Sequence, residues 1–107
     1  MNILYIDTSD NTMTRIRLDV GNTVLEKTSD SRVLKSQMTL PLIESMLKES
    51  GLLLSDISEI RVATGPGSFT GVRVGISIAN TISTLCGIPV NGKHDLAKAL
   101  YEPYNEK

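Results

Sequence analysis

A glycine-rich loop in the second half of the chain carries backbone groups that could bind an anion. It runs from Gly65 to Gly71, between a short apolar run and a long helical pattern. Exposed backbone N–H groups and the positive end of a helix dipole can together hold a phosphate at such a turn. Ser68 or Thr70 could equally act only as the helix N-cap, with Gly65 and Gly67 adopting positive φ. Composition leaves a tightly packed turn and an anion site both open.

The loop departs from two common glycine-rich phosphate motifs. In a P-loop, a lysine and a hydroxyl residue follow the last glycine and reach the terminal phosphates and the magnesium ion. Here Val72 and Arg73 follow Gly71. The dinucleotide-binding fingerprint would need its third glycine at the position that Thr70 occupies. We therefore predict neither type of nucleotide site in this loop.

A polar cluster after the first apolar run is the second place where a ligand could bind. Asp7, Thr8, Ser9 and Asp10 follow one another there. Their carboxylates and hydroxyls could bind a metal or orient a phosphate, but the same residue types form ordinary turns through side-chain to backbone hydrogen bonds. We treat Asp7, Thr8 and Ser9 as a possible phosphate turn and leave the simple turn as the alternative.

The remaining reactive side chains do not form a catalytic set. His94 is the only histidine and Cys86 the only cysteine, so the sequence offers no His or Cys pair for a metal site. Ser68 stands outside the nucleophile motif G-x-S-x-G and has no neighbouring base. We predict no catalytic residue and no metal site.

Length, charge and hydropathy limit the function classes further. The 107 residues make one small domain, and the net charge of −1 gives no electrostatic footprint for nucleic acid. No apolar run is long enough to span a membrane, and the N-terminus lacks the pattern of a signal peptide. We expect a cytoplasmic protein without membrane contact.

Hydrophobic periodicity places the candidate residues between the elements of one α/β domain. A meander of strands comes first, and helices and strands then alternate, which predicts a mixed five-stranded sheet with helices packed on it. Pro41 is expected in the first turn of its helix, which should begin near Met38 to Leu40. The predicted strands are Ile3–Ile6, Thr14–Val20, Thr23–Thr28, Ile60–Ala63 and Ile88–Val90, and the predicted helices are Ser36–Ser50, Thr70–Cys86 and His94–Tyr101.

The two longer helices are apolar over a much wider arc than the ~100° that one core-facing stripe needs. Arg73 is the only charged residue of the second one. Either the helices pack on each other as well as on the sheet, or together they present an apolar surface that docks another chain. The residues that the second interpretation assigns to the contact are Met38, Leu42, Met46, Val74, Ile78 and Leu85.

The nine residues from Gly65 to Arg73, followed by Gly75 and Ala79, resemble the signature of the TsaB family, also called YeaZ. Within this signature loop, the residues with a possible anion-binding role are Gly65, Gly67, Ser68, Thr70, Gly71 and Arg73. The resemblance extends over nearly the whole chain, through Ile3–Ser9, the helix with Pro41, and Gly87–Val90.

The resemblance implies a fold and a role. The fold would be actin-like ATPase (ribonuclease H-like), with residues 1–107 forming a single N-terminal lobe and the second lobe absent, in a one-lobe member or a fragment. The role would be a non-catalytic scaffold or activator subunit in the formation of threonylcarbamoyladenosine in tRNA. The implied partners are the TsaD transferase and the TsaE ATPase, with tRNA reached through the complex and a homodimer in isolation.

The same resemblance bears on cofactor binding and on an alternative function. An actin-like fold binds ATP between two lobes, so one lobe predicts no cofactor, with weak ATP and magnesium binding only in a complex. The alternative is a small phosphate- or nucleotide-binding lobe with phosphotransferase-type chemistry, using Asp7, Thr8 and the loop amides. A peptidase, suggested by the older description glycoprotease-like, is not expected. Lys35, where many relatives have histidine, and residues 91–95 depart from the family pattern.

Overall fold

The computed structural model describes residues 1–30, 35–67 and 69–93 of the chain. The helix predicted at His94–Tyr101, with His94 itself, lies outside these ranges. Strands alternate in burial and helices bury one stripe, as their hydrophobic periods require. The elements are β1 (Asn2–Asp7), β2 (Met13–Val20), β3 (Thr23–Asp30), α1 (Lys35–Ser50), a 3₁₀ turn (Leu54–Asp56), β4 (Glu59–Val62) and α2 (Phe69–Cys86).

The sheet is mixed, as predicted, with the strand order β3-β2-β1-β4. β2 is antiparallel to both β1 and β3, whereas β1 and β4 are parallel. A parallel pair needs a crossover connection, and α1 supplies it between β3 and β4. This topology brings the C-terminal ends of β1 and β4 to the same end of the sheet, where the Asp7 turn and the glycine loop meet.

The fifth strand predicted at Ile88–Val90 is reduced to one residue in the described part of the chain. Val90 forms a single parallel bridge to Ile60. At the next position, the side-chain oxygen of Asn91 accepts a hydrogen bond from the backbone N–H of Val62 at 2.9 Å. The side-chain NH₂ of Asn91 donates to the carbonyl of Val62 at 3.2 Å. The backbone N–H of Asn91 still donates to the carbonyl of Ile60 at 2.8 Å, but its φ of 53° is not extended, so its side chain rather than a further backbone pair bonds Val62.

The core lies between the sheet and both helices. α1 packs on β2 and β3, and α2 packs on β1 and β4, so the two helices cover the same face of the sheet and also contact each other. Burying each large aliphatic side chain of this layer contributes about 1.5–3 kcal/mol. The buried apolar residues are Leu4, Ile6, Ile16, Leu18, Ile43, Met46, Leu47, Ile57, Ile60, Val62, Val72, Ile76, Ala79, Ile82, Ile88 and Val90.

α1 begins earlier than its sequence predicts. It starts at Lys35, so Pro41 lies in the helix interior rather than in its first turn. The Nζ of Lys35 donates to the carbonyl of Met13 at 2.9 Å and to the hydroxyl of Thr14 at 3.3 Å, and these bonds attach the helix start to β2. The ring of Pro41 is exposed, so the helix backbone next to it can be hydrated. The prediction that the helix starts near Met38 is therefore wrong.

Candidate functional site

The turn after β1 is held by its own side chains. One carboxylate oxygen of Asp7 accepts hydrogen bonds from the backbone N–H of Ser9 at 2.9 Å and from its hydroxyl at 2.6 Å. Asp10 repeats the pattern with the N–H and the hydroxyl of Thr12, each at 2.7 Å. These bonds hold the pKa of Asp10 below its ordinary value, because they favour the charged carboxylate. Both carboxylates therefore stabilise turns.

Thr8 is completely buried, and its hydroxyl joins the turn to α2. It accepts a hydrogen bond from the backbone N–H of Gly75 at 3.0 Å and donates one to the carbonyl of Gly71. The side chain is thus used inside the protein. It does not reach the surface, so Thr8 has to be removed from the residues predicted to contact a phosphate.

Two glycines of the signature segment are required because the turn after β1 approaches them closely. A Cβ atom on Gly67 would lie 2.7 Å from the carbonyl oxygen of Ser9, and a Cβ atom on Gly75 would lie 2.5 Å from the hydroxyl of Thr8. Real Cβ contacts are almost never that short, so any side chain would push the segments apart. The loop and the start of α2 therefore pack directly against the turn after β1, as the packed-turn interpretation expects.

Of the other signature residues, Gly65 adopts a positive φ, whereas Thr70 and Arg73 are exposed to solvent. Gly65 has a φ of 115°, the positive value expected for it. Thr70 is exposed and lies inside α2, which begins at Phe69, so the interpretation of Thr70 as the N-cap is wrong. Arg73 is also exposed near the helix start. Ser68, the other N-cap candidate, lies outside the described residues.

The predicted contact residues of the two helices differ in exposure. Met46 is 1% exposed and belongs to the core, so the prediction that it lies on a contact surface is wrong. Its position on the wide apolar arc could not reveal that this part of α1 faces the sheet. The others reach solvent: Met38, Leu42, Val74 and Ile78 in part, and Leu85 with 76% of its surface exposed.

An open groove of about 380 Å³ runs along the outer side of α2 beside Leu85. Four small polar side chains complete its lining: Ser77, Asn80, Thr81 and Thr84. Small residues allow the backbone of another helix to approach closely. Sequence reasoning did not identify this groove, although the near absence of charge on α2 was a signal for it.

A second concavity of about 330 Å³ lies on the face of the sheet opposite the helices. Tyr5, Arg15, Arg17 and Arg61 contribute to its lining, because strand alternation turns them away from the core. The guanidinium of Arg17 stacks over the Tyr5 ring at 4.7 Å. Each arginine pairs with a carboxylate, namely Glu26, Asp19 or Glu59, and Asp19 raises the pKa of Arg17. These pairs offset much of the positive charge that could have attracted an anion.

The described residues 1–30, 35–67 and 69–93 provide neither a metal-ligand cluster nor a membrane-spanning helix. No group of three or more His, Cys, Asp or Glu side chains there could hold a metal ion. None of the helices there is both long and apolar enough to cross a bilayer.

Comparisons with known proteins agree on one group. The family model for TsaD, the tRNA N6-adenosine threonylcarbamoyltransferase, matches residues 32–107. The TsaB protein of Bacillus subtilis, named for tRNA threonylcarbamoyladenosine biosynthesis, is 34% identical over 96 residues, 90% of this chain and 42% of the relative. A Pelobacter propionicus protein named as the threonylcarbamoyltransferase is 33% identical over 92 residues, 86% of this chain and 26% of that protein.

Solved structures give the same result. YeaZ from Pseudomonas aeruginosa superimposes with a TM-score of 0.77 and 30% identity, over 83% of this chain and 41% of that one. A second structure from this organism, described as having similarity to peptidase YeaZ, covers the same shares at 30% identity with a TM-score of 0.79. The chain thus spans less than half the length of the relatives that it matches.

Proposed function

The chain belongs to the TsaB (YeaZ) family, and on this basis we propose that it takes part in tRNA threonylcarbamoyladenosine biosynthesis. Its role would be that of a non-catalytic scaffold subunit that pairs with a TsaD-type transferase. A TsaE-type ATPase would join the complex, tRNA would be contacted through the complex, and the protein would work in the cytoplasm. The proposal also includes self-association through the same surface when the transferase is absent.

The exposure of Leu85 carries this proposal. A leucine with 76% of its surface in water gains about 1.5–3 kcal/mol when a partner covers it fully, so such a residue on a helix favours association. Val74, Ile78 and Leu85 are spaced by four and seven residues and therefore share one face of α2. Met38 and Leu42 share a face of α1 in the same way. We define the contact surface as Met38, Leu42, Val74, Ile78 and Leu85.

The composition of α2 supports a helical partner. Arg73 is its single charged residue, so a second apolar helix could approach without burying many unpaired charges. The groove of small side chains next to Leu85 could receive a ridge from that helix. A transferase helix with a leucine or methionine ridge would fit this surface.

The test compares two exposed leucines. We expect Leu85→Lys to weaken binding to the TsaD-type subunit of the same organism by at least about tenfold, because it removes apolar contact and buries an unpaired ammonium. Leu53→Lys is the matched control, since Leu53 is 71% exposed and precedes the 3₁₀ turn, outside the contact surface. Isothermal titration calorimetry measures both affinities. Equal binding by the two variants would contradict the proposal.

The alternative, a small phosphate- or nucleotide-binding lobe, has less support. The hydroxyl of Thr8 is used internally, and one oxygen of Asp7 already accepts two bonds within its turn. Calorimetric titration with ATP and magnesium separates the two functions. Tight, magnesium-dependent binding by the chain alone would favour the alternative, whereas transfer activity that requires both this chain and the TsaD-type subunit would favour the scaffold role.

A further inference from the structure

The hydroxyl of Thr8 bonds both backbone groups of one step of the α2 hydrogen-bond ladder. Its two partners, the carbonyl of Gly71 and the N–H of Gly75, are four residues apart, the spacing that a regular helix joins directly. Thr8 lies 63 and 67 residues away from them in the chain. The first turns of α2 are therefore bonded directly to a residue that follows β1.

This contact restricts the position of α2 in a way that the apolar core does not. Val72, Ile76 and Ala79 are buried in the core, but the hydrophobic effect that buries them is itself non-directional. A hydrogen bond depends steeply on distance and angle. The absence of a Cβ at Gly75 lets the helix come close enough for the bond to form.

From this geometry we infer that Thr8 is a positioning residue for partner binding. Its hydroxyl sets where α2 lies along its own axis, and so where the contact surface is presented. Val74 lies inside the turn between Gly71 and Gly75, and Ile78 follows one turn later, so both shift when this turn shifts. The inference rests on the proposed function, because it assigns Thr8 a role in the same association.

The test uses two substitutions of Thr8, each of which changes one group of its side chain. Valine keeps the branched shape but lacks the oxygen, and in Thr8→Val the carbonyl of Gly71 and the N–H of Gly75 can pair with each other as in a regular helix. The variant should therefore fold with α2 displaced. We expect its dissociation constant for the TsaD-type subunit to rise roughly tenfold, because Val74 and Ile78 would no longer meet the partner in the native position. Thr8→Ser retains the oxygen and should bind within about twofold of the native chain.

A third variant separates position from stability. Ile16→Val removes one methylene from a fully buried site in β2, the strand that contacts α1, and should lower stability without moving α2. Denaturant midpoints measure the stability of all variants, and amide chemical shifts of Gly71 and Gly75 report the helix turn. We expect the shifts to change in Thr8→Val and to be preserved in Ile16→Val.

The binding and chemical-shift measurements together test whether Thr8 positions α2. The inference is supported if Thr8→Val alone weakens binding and alters the shifts while Thr8→Ser behaves as the native chain. It is overturned if Thr8→Val binds normally, or if Ile16→Val weakens binding as much at a similar midpoint. If the native chain does not bind, or binding is unaffected by Leu85→Lys, the proposed function itself fails, whatever Thr8 does to the helix.

Discussion

Gly75→Ala is a substitution for which helix propensity and tertiary packing predict opposite signs. In an exposed helix interior, alanine is more favourable than glycine by about 1 kcal/mol. At Gly75 the added methyl would lie 2.5 Å from the hydroxyl oxygen of Thr8, so one of the two elements has to move. Overpacking of this kind costs about 1–3 kcal/mol. Loss of the bond from the Gly75 N–H to Thr8 adds about 1–3 kcal/mol if the buried group is left unpaired.

The balance is a net destabilisation of about 1–5 kcal/mol, a large part of the ~5–15 kcal/mol that stabilises a typical domain. Chemical denaturation followed by circular dichroism measures it. Ser77→Ala is the control, because Ser77 is exposed on the same helix and its substitution should be slightly stabilising. An increase in stability for Gly75→Ala, as for Ser77→Ala, would refute the close approach of α2 to Thr8.

A double substitution tests whether the hydroxyl is the cause. Thr8→Ala removes the oxygen that the new methyl would meet. Residues in direct contact are expected to show non-additive effects of about 0.5–3 kcal/mol. We therefore expect Gly75→Ala to cost clearly less in the Thr8→Ala background than in the native chain. Additive effects would mean that the methyl meets something else.

Two further predictions concern stability. Met46→Ala should destabilise the chain by about 2–5 kcal/mol, because the side chain is buried in the core, whereas Leu40→Ala, at an exposed position of the same helix, should have a small effect in the same denaturation assay. Asp10→Asn should reduce the loss of folding stability at low pH. A carboxylate with a lowered pKa stabilises the fold above its unfolded pKa of about 4. This contribution is lost as the pH falls through the lower pKa of the folded state. Denaturation midpoints measured from neutral to acidic pH should therefore differ between native chain and variant above about pH 4 and converge below it; a constant difference would contradict the role of Thr12 in lowering that pKa.

Much of the fold follows from local patterns. The alternation in Thr14–Val20 predicts β2, and the Gly21-Asn22 turn predicts its pairing with β3. Gly87, with a φ of 70°, ends α2 where a glycine stop is expected. These predictions succeed because strand pleating, helix period and turn conformation depend on neighbouring residues. The glycine loop could be recognised for the same reason, since its signature is contiguous.

Other features depend on residues far apart in the chain. The early start of α1 depends on bonds from Lys35 to β2. The predicted fifth strand is reduced to one bridge where the side chain of Asn91 bonds Val62. Helical periodicity could not separate Met46 from Leu85, because both lie on broad apolar arcs and only packing decides which part faces the sheet.

The sequence by itself determined the order and type of most elements, the family signature and the unusual apolarity of the two helices. Tertiary structure decided which of those apolar residues remain exposed. It also decided that Gly67 and Gly75 allow close packing against the turn after β1, and that the carboxylate of Asp7 is bonded within that turn. The reason is physical: backbone propensity acts over a few residues, whereas the bonds of Thr8 to Gly71 and Gly75 form only after β1 and α2 have packed together.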